Sequence, residues 1–283
     1  MAACLLGGAC PSEAAMLFNF PDFSSTAGLT LVGSATPDGN QLQITPAAES
    51  QGGAAYSTTA VTLGPGATFS TTFQFQFTNP GGWVGSPADG IAFVLAALPG
   101  GLGTAGGGMG YGTVDNSVAI EFDTYDNTPY VNDGSSSNHV AILENGHVDA
   151  TGDLNLVNPY GVSHCLLDPD SYLAAGCMSN GHIWTATIGY DGSNLSATVK
   201  DGASPAYSIY SSLPIDIASL IGTTTAYVGF TGATGGGYEK QNILSWQLAN
   251  DTSLGPTIPE PATLSLLGMG LAGLAGMRRR KCA

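Results

Sequence analysis

The sequence predicts an all-β chain folded as two packed antiparallel sheets. Three observations predict it: one segment alternates strictly with a period of two, many short apolar runs are divided by turn residues, and no apolar stripe of helical period lasts three turns. In residues 68–77, Phe69, Phe73, Phe75 and Phe77 fall on one face and Ser70, Thr72, Gln74 and Gln76 on the other, the pattern of a half-buried strand. Similar runs recur at 42–44, 91–95, 118–125, 140–143, 183–190, 195–199, 227–230 and 243–248, with Gly, Asn, Asp, Ser and Pro clusters between them. A sheet that is apolar on one side must bury that side against another layer, so strands in this number imply a sandwich. Trp184, Trp246 and the phenylalanines are expected in its core.

No Pro-rich or low-complexity stretch divides the interior of the 283 residues, so one large domain is expected over 16–252, flanked by a leader remnant at 1–15 and a tail at 253–283. Between residues 16 and 252, 19 Asp and Glu stand against Lys200 and Lys240. That balance repels phosphate backbones and lacks the basic side chains that grip them, which excludes nucleic acid as a partner; it suits divalent cations. Many of the 41 glycines cluster at 99–112 and 232–237, where unusual backbone angles or a close ligand would require them. The cluster from Gly103 to Gly112 is not a phosphate loop, because no Gly-Lys-Ser/Thr follows and no helix pattern opens after it.

Residues 2–9 are apolar and Ala14-Ala15 offer a cleavage point, as in the later part of a signal peptide. Cys4, Cys10 and Cys282 then lie in segments expected to be removed. Cys165 and Cys177 remain, close enough in sequence for a disulfide across one surface loop in an oxidising compartment; two buried free thiols are the alternative. At the other end Ile258-Pro259-Glu260-Pro261 precedes an apolar run over 262–277 and then Arg278-Arg279-Arg280-Lys281. The run falls short of the ~20 residues of a full span, but the basic cluster marks a cytoplasmic end, so a transmembrane tail with transient membrane association is expected. This tail resembles a PEP-CTERM sorting signal of Gram-negative bacteria. The resemblance implies export across the inner membrane, cleavage by a sorting transpeptidase, and delivery to the cell surface or extracellular matrix; an ordinary tail anchor is the alternative.

The strongest chemical signal is Val118-Ala119-Ile120-Glu121-Phe122-Asp123-Thr124-Tyr125-Asp126-Asn127, with Asp133 and His139 downstream. Alternation turns Val118, Ile120 and Phe122 into the sandwich and sends Glu121, Asp123 and Tyr125 to the opposite face. Two carboxylates about 7 Å apart on one strand repel each other unless a cation, a proton or a donor stands between them. Asn127 adds an amide oxygen, Asp133 a carboxylate, Tyr125 a backbone carbonyl and His139 an imidazole. Oxygen donors suit Ca2+, whereas carboxylates with one imidazole suit Mn2+ or another transition metal, and Asp123 could serve both. His139 as a plain surface histidine is the other reading.

The order Glu-Phe-Asp-Thr-Tyr-Asp-Asn, then Asp, then His resembles the two-metal site of legume-type lectins, which implies a concanavalin-like jelly-roll and sugar binding without catalysis. By that resemblance Glu121, Asp123, Asp133 and His139 hold the transition metal, and Asp123, Tyr125, Asn127 and Asp133 hold calcium. The family typically spaces the Asn, the second Asp and the His five residues apart. Here both intervals are six, with Asn132 at the usual Asp position. Ala88-Asp89-Gly90-Ile91-Ala92-Phe93 resembles the segment in which a cis Ala-Asp peptide turns the Asp to sugar. Residues 228–235, Glu239 and Ile243-Leu244-Ser245-Trp246 resemble the closing strands, with Gln241 near the place of the usual histidine; the match spans essentially 17–250. The implied sugar site has Asp89 as acceptor, Asn127 as donor, Tyr125 as stacking platform, and backbone N–H groups around Gly108 and from Gly232, Ala233 and Thr234. Calcium would fix Asn127 and, through water, Asp89. The implied partners are glycans or exopolysaccharide, and a homo-oligomer would add avidity to a shallow site.

Two other functions fit the same sandwich. A retaining β-glucan hydrolase would need Asp126 as an acid about 5–5.5 Å from a second carboxyl, which a strand bulge would have to supply. A noncatalytic matrix protein would keep the metal residues as a structural vestige.

Overall fold

The computed structural model describes residues 15–64, 66–82, 86–131, 134–149, 156–165 and 171–250. The expectations placed on residues 1–14, on Asn132 and Asp133, and on the tail from 251 onward lie outside the described residues. The strands follow in chain order as β1 (Ala15–Phe20), β2 (Leu29–Gly33), β3 (Thr36–Asp38), β4 (Gln41–Thr45), β5 (Gly52–Ser57), β6 (Val61–Thr62), β7 (Phe69–Gly82), β8 (Gly90–Ala96), β9 (Ser117–Asp123), β10 (His139–Glu144), β11 (Trp184–Tyr190), β12 (Asn194–Asp201), β13 (Tyr207–Pro214), β14 (Thr225–Ala233) and β15 (Gly237–Asn250). A single-turn helix, α1 (Ile217–Ile221), precedes β14 and is capped by the Asp216 side chain.

The strands form two antiparallel sheets. One has the order β13-β12-β11-β7-β15-β4-β3, with β1 also on β15; the other runs β10-β9-β8-β14-β5-β2, with β6 also on β14. This is the jelly-roll sandwich expected from the sequence. Its main core lies between the sheets, where Phe73, Phe75 and Phe77 meet Ile91, Phe93, Ile120 and Phe122. Phe73 is at the centre, edge-on to Phe230 at 4.9 Å and to Phe122 at 5.6 Å between ring centroids. Such edge-to-face pairs add roughly 0.5–1.5 kcal/mol each beyond the area they bury. Trp184 and Trp246 are fully buried.

A second, smaller cluster explains a departure from simple alternation. Residues 97–116 fold across the outer face of the seven-stranded sheet, where Met109 and Tyr111 pack on Ala92, Val94, Ala119 and Leu143. Every position of β8 and β9 is therefore buried, and Ile91 to Leu95 reads as a continuous apolar run for the reason that sheets covered on both faces do. β9 ends at Asp123, two residues earlier than the apolar pattern suggests. β15 begins six residues earlier than its own pattern, and its register against β7 shifts twice on the way. β13 carries no clean alternation because it is an edge strand with two register breaks against β12.

Cys165 and Cys177 are joined by a disulfide. The expectation of a transmembrane segment is corrected: among the described residues no helix is long and apolar enough to cross a membrane. The physical reason was visible in the tail itself, whose apolar run is too short to match the hydrocarbon thickness.

Phe73→Ala is expected to lower unfolding free energy by about 3–5 kcal/mol, measured by urea denaturation. A loss below about 1 kcal/mol would mean that the ring is not the centre of the core.

Candidate functional site

Alternation along β9 turns Glu121 and Asp123 to the same side as Ala119, away from the main core and under the covering loop. Their cross-strand neighbours leave room for them. Ala92 of β8 and Ala141 of β10 stand opposite Glu121, while Gly90 and His139 stand opposite Asp123. Gly90 is required here: its φ is +123°, and a Cβ would lie 2.2 Å from the Phe122 carbonyl oxygen.

Glu121, Asp123 and His139 are all buried, and one ligand atom from each lies within 4.8 Å of the others. His139 Nε2 is 3.1 Å from Glu121 Oε1, and its Nδ1 is 3.1 Å from the Ser136 carbonyl oxygen. A carbonyl only accepts, so Nδ1 donates its proton there, and this fixes Nε2 as the ring atom that faces Glu121 Oε1. Two carboxylates brought beside one imidazole nitrogen out of water are unfavourable by several kcal/mol per ion unless a positive charge, a proton or a metal ion, is shared among them. The donor set, two carboxylates with one imidazole whose far nitrogen is fixed by a carbonyl, is that of a metal centre. These buried residues can chelate a metal ion.

The residues expected around sugar converge beside this cluster. Asp89, nearly buried, follows a cis Ala88–Asp89 peptide bond. Its N–H donates to the Ala233 carbonyl and its own carbonyl accepts from Thr124 N–H, each at 3.0 Å. Gln241 supports the same turn from below, its Nε2 donating to Ala233 O at 2.9 Å and reaching Ala88 O at 3.5 Å. Tyr125, half-buried just past β9, has its N–H bound to Asp123 Oδ1 at 2.7 Å. Burial raises the pKa of its hydroxyl, and the nearby charges of Asp89 and Asp126 raise it further.

Asn127 packs against a glycine that the sequence reading did not single out. A Cβ on Gly107 would lie 2.7 Å from the Asn127 carboxamide carbon, whereas Gly108 is closed against the Thr104 hydroxyl. Gly235 fits between Asp89 and Gly106 in the same way. Thr234 sits one layer below the surface: its N–H donates to Gln51 O, its carbonyl accepts from Gly106 N–H and its hydroxyl donates to Ala48 O. Gly232 and Ala233 lie within β14, paired with β5 and β8. The Gly-rich signal was present at 106–108, but three adjacent glycines are alike in sequence, and only the path of the loop separates them.

Glu239 occupies the register shift of β15 and is wholly buried. Its Oε1 accepts from the Thr124 hydroxyl at 2.8 Å. Burial pushes its carboxyl up to about 8; hydrogen bonds from Ser179 and Thr124 oppose the shift, and the charge of Asp89 adds to it. Asp126, the acid that hydrolysis would require, instead accepts from Thr128 N–H at 2.9 Å in its own turn. β9 ends at Asp123, and Asp126 lies in the turn beyond the strand.

Residues 21–245 match the profile of the legume lectin beta-barrel domain. The chain belongs to this family. Its members are noncatalytic carbohydrate-binding proteins, so this lectin is not an enzyme. It is 30% identical over 255 residues to a lectin of Bauhinia forficata, covering 83% of this chain and 96% of that one. Agglutinin-2 of Cladrastis kentukea is 29% identical over 197 residues, and there the match covers 64% of this chain and 57% of the relative. The structure of the Bauhinia forficata lectin in complex with GalNAc superposes with a TM-score of 0.61 at 28% identity, covering 86% of this lectin and 100% of the other chain. Residues 257–281 match the PEP-CTERM protein-sorting motif, which marks the lectin for export to a bacterial surface or extracellular space.

The raised carboxyl of Glu239 links stability to pH. The folded state holds its proton up to about pH 8, whereas the unfolded chain releases it near 4.5. The resulting stabilisation is full below the lower value and declines as pH rises through the upper one. Glu239→Gln removes the titration, so the wild-type Tm is expected to fall relative to that of the variant between about pH 5 and about pH 8, read by calorimetry. Parallel Tm curves for the two proteins would contradict a neutral Glu239.

Proposed function

We propose that this protein is a metal-dependent lectin of the bacterial exterior that binds glycans or exopolysaccharide through Asp89, Tyr125 and Asn127. The observation that carries the proposal is the convergence of the Asp89 carboxylate, the Asn127 amide and the half-buried Gly107 and Gly235 beside the buried Glu121–Asp123–His139 cluster. Sugars offer vicinal hydroxyls on an edge and weakly apolar C–H groups on a face. Asp89 accepts from the hydroxyl edge, Asn127 donates to it, and the Tyr125 ring takes the C–H face.

Glu121, Asp123 and His139, with Asp133 from the adjoining loop, are the proposed ligands of a transition metal such as Mn2+. Asp123, the Tyr125 carbonyl, Asn127 and Asp133 are those proposed for Ca2+. When bound, the two ions would neutralise the acidic cluster and fix these side chains before sugar arrives. Asn127 is thereby held in its donor pose, so less ordering is lost on binding. Gly108, Gly232, Ala233 and Thr234 belong to the framework that sets the loop path around the sugar. Cleavage of the tail by a sorting enzyme would release the domain into surface polymer, where copies on one polysaccharide raise avidity.

GalNAc is the first ligand to try, since the Bauhinia forficata lectin was solved with it; a glycan array extends the search. Asp89→Asn and Asn127→Ala are each expected to weaken glycan binding by at least about tenfold, as befits loss of a charged or buried hydrogen bond, with the circular dichroism spectrum unchanged. Gly107→Ala, by pushing a methyl into Asn127, is expected to act in the same direction. Chelation with EDTA should abolish binding and added Ca2+ with Mn2+ restore it. Undiminished binding in excess chelator would defeat the metal-dependent reading.

A further inference from the structure

Asn138, the neighbour of His139, is fully buried. Its Nδ2 donates to the carbonyls of Val162 at 3.0 Å and Gly176 at 2.9 Å, and its Oδ1 accepts from Met178 N–H at 2.9 Å. Val162 stands just before Cys165, and Gly176 and Met178 flank Cys177, so the disulfide closes the chain around this one amide. The two preceding residues are tied to Cys165 and to the segment that leads into it. Ser137 Oγ accepts from Cys165 N–H at 2.9 Å, Ser137 N–H donates to Ser163 O at 3.0 Å, and Ser136 Oγ donates to Asn158 Oδ1 at 2.6 Å. Ser136 in turn supplies the carbonyl that holds His139 Nδ1.

We infer that Asn138 and the Cys165–Cys177 loop are a positioning device for the metal cluster: they hold the backbone of 136–139 on the path that aims His139 Nε2 at Glu121. This inference rests on the metal reading above. The aim of an imidazole follows the place of the carbonyl bound to its other nitrogen, and groups of this kind are worth about 10–100-fold in metal affinity elsewhere. Here that carbonyl belongs to a segment that enters β10 from a turn in which Gly134 and Ser135 both have positive φ. Sheet pairing of β10 begins only at His139; before it, 136–138 are held by their bonds to 158–165 and, through Asn138, to Gly176 and Met178. Only an amide fits the position, since it offers two N–H groups and one acceptor on a short stem. Aspartate would set a carboxylate against two carbonyls, and alanine would take these partners from three backbone groups, those of Gly176 and Met178 in buried bonds.

The test is a double-mutant cycle read by Mn2+ binding, with free Mn2+ counted by electron paramagnetic resonance on the full chain. Asn138→Ala is expected to weaken Mn2+ binding by about tenfold or more. The Cys165→Ser/Cys177→Ser variant should weaken it in the same direction. In a His139→Ala background neither change should cause further loss, because both act through the imidazole. Circular dichroism confirms folding, and if Asn138→Ala does not fold, the cysteine variant carries the same cycle. Wild-type affinity in the folded variants, or an equal loss with and without His139, overturns the inference while leaving the metal site intact. A wild-type protein that takes up no Mn2+ overturns the metal reading itself and this inference with it.

Discussion

Negative charge held out of water on the outer face of a sheet is the constraint on which the rest of this molecule depends. Glu121 and Asp123 are almost completely buried, two residues apart on one face of β9, with His139 across from Asp123. A buried carboxylate pair is tolerated only when another charge or a set of donors compensates it. Much of the surrounding structure follows from that need. Small residues flank the pair on both neighbouring strands, the Ser136 carbonyl sets the protonated nitrogen of the ring, and a long loop closes over the top.

The loop also makes the site a meeting point rather than a property of one strand. Asp89 comes from the start of β8, Tyr125 and Asn127 from beyond the end of β9, Gly107 from the covering loop, and Gly235 from the turn between β14 and β15. Backbone hydrogen bonds join these pieces: Asp89 to Ala233 and Thr124, Gly106 to Thr234, Thr234 to Gln51. Glu239 adds a buried, proton-bearing acid beneath Thr124, where a second anion next to Asp89 would be unfavourable. A binding surface built from loops on a rigid sandwich can change its specificity by loop length while the fold stays the same, which fits a lectin architecture shared with plant proteins at under one third identity.

Much of this was legible without coordinates, for a reason that differs by element. Phe69 to Phe77 alternate because one side of β7 faces a core, and period two survives any later packing. Glu121 and Asp123 could be assigned to one face on the same ground, and their mutual repulsion pointed to a cation. β13 and β5 were not legible, because edge pairing and small-residue packing leave no apolar rhythm.

What the sequence by itself determined was therefore local: the two-residue period, the class of donors along β9, the acidic balance, and the sorting tail. What only the tertiary structure decided was which distant groups meet. It placed Gly107 rather than Gly108 against Asn127, turned Thr124 onto Glu239, and brought Val162, Gly176 and Met178, from either side of the disulfide, onto Asn138. Contacts of that kind depend on the path of loops between sheets, and loop paths are set by bonds to residues far away in sequence, which no local pattern encodes.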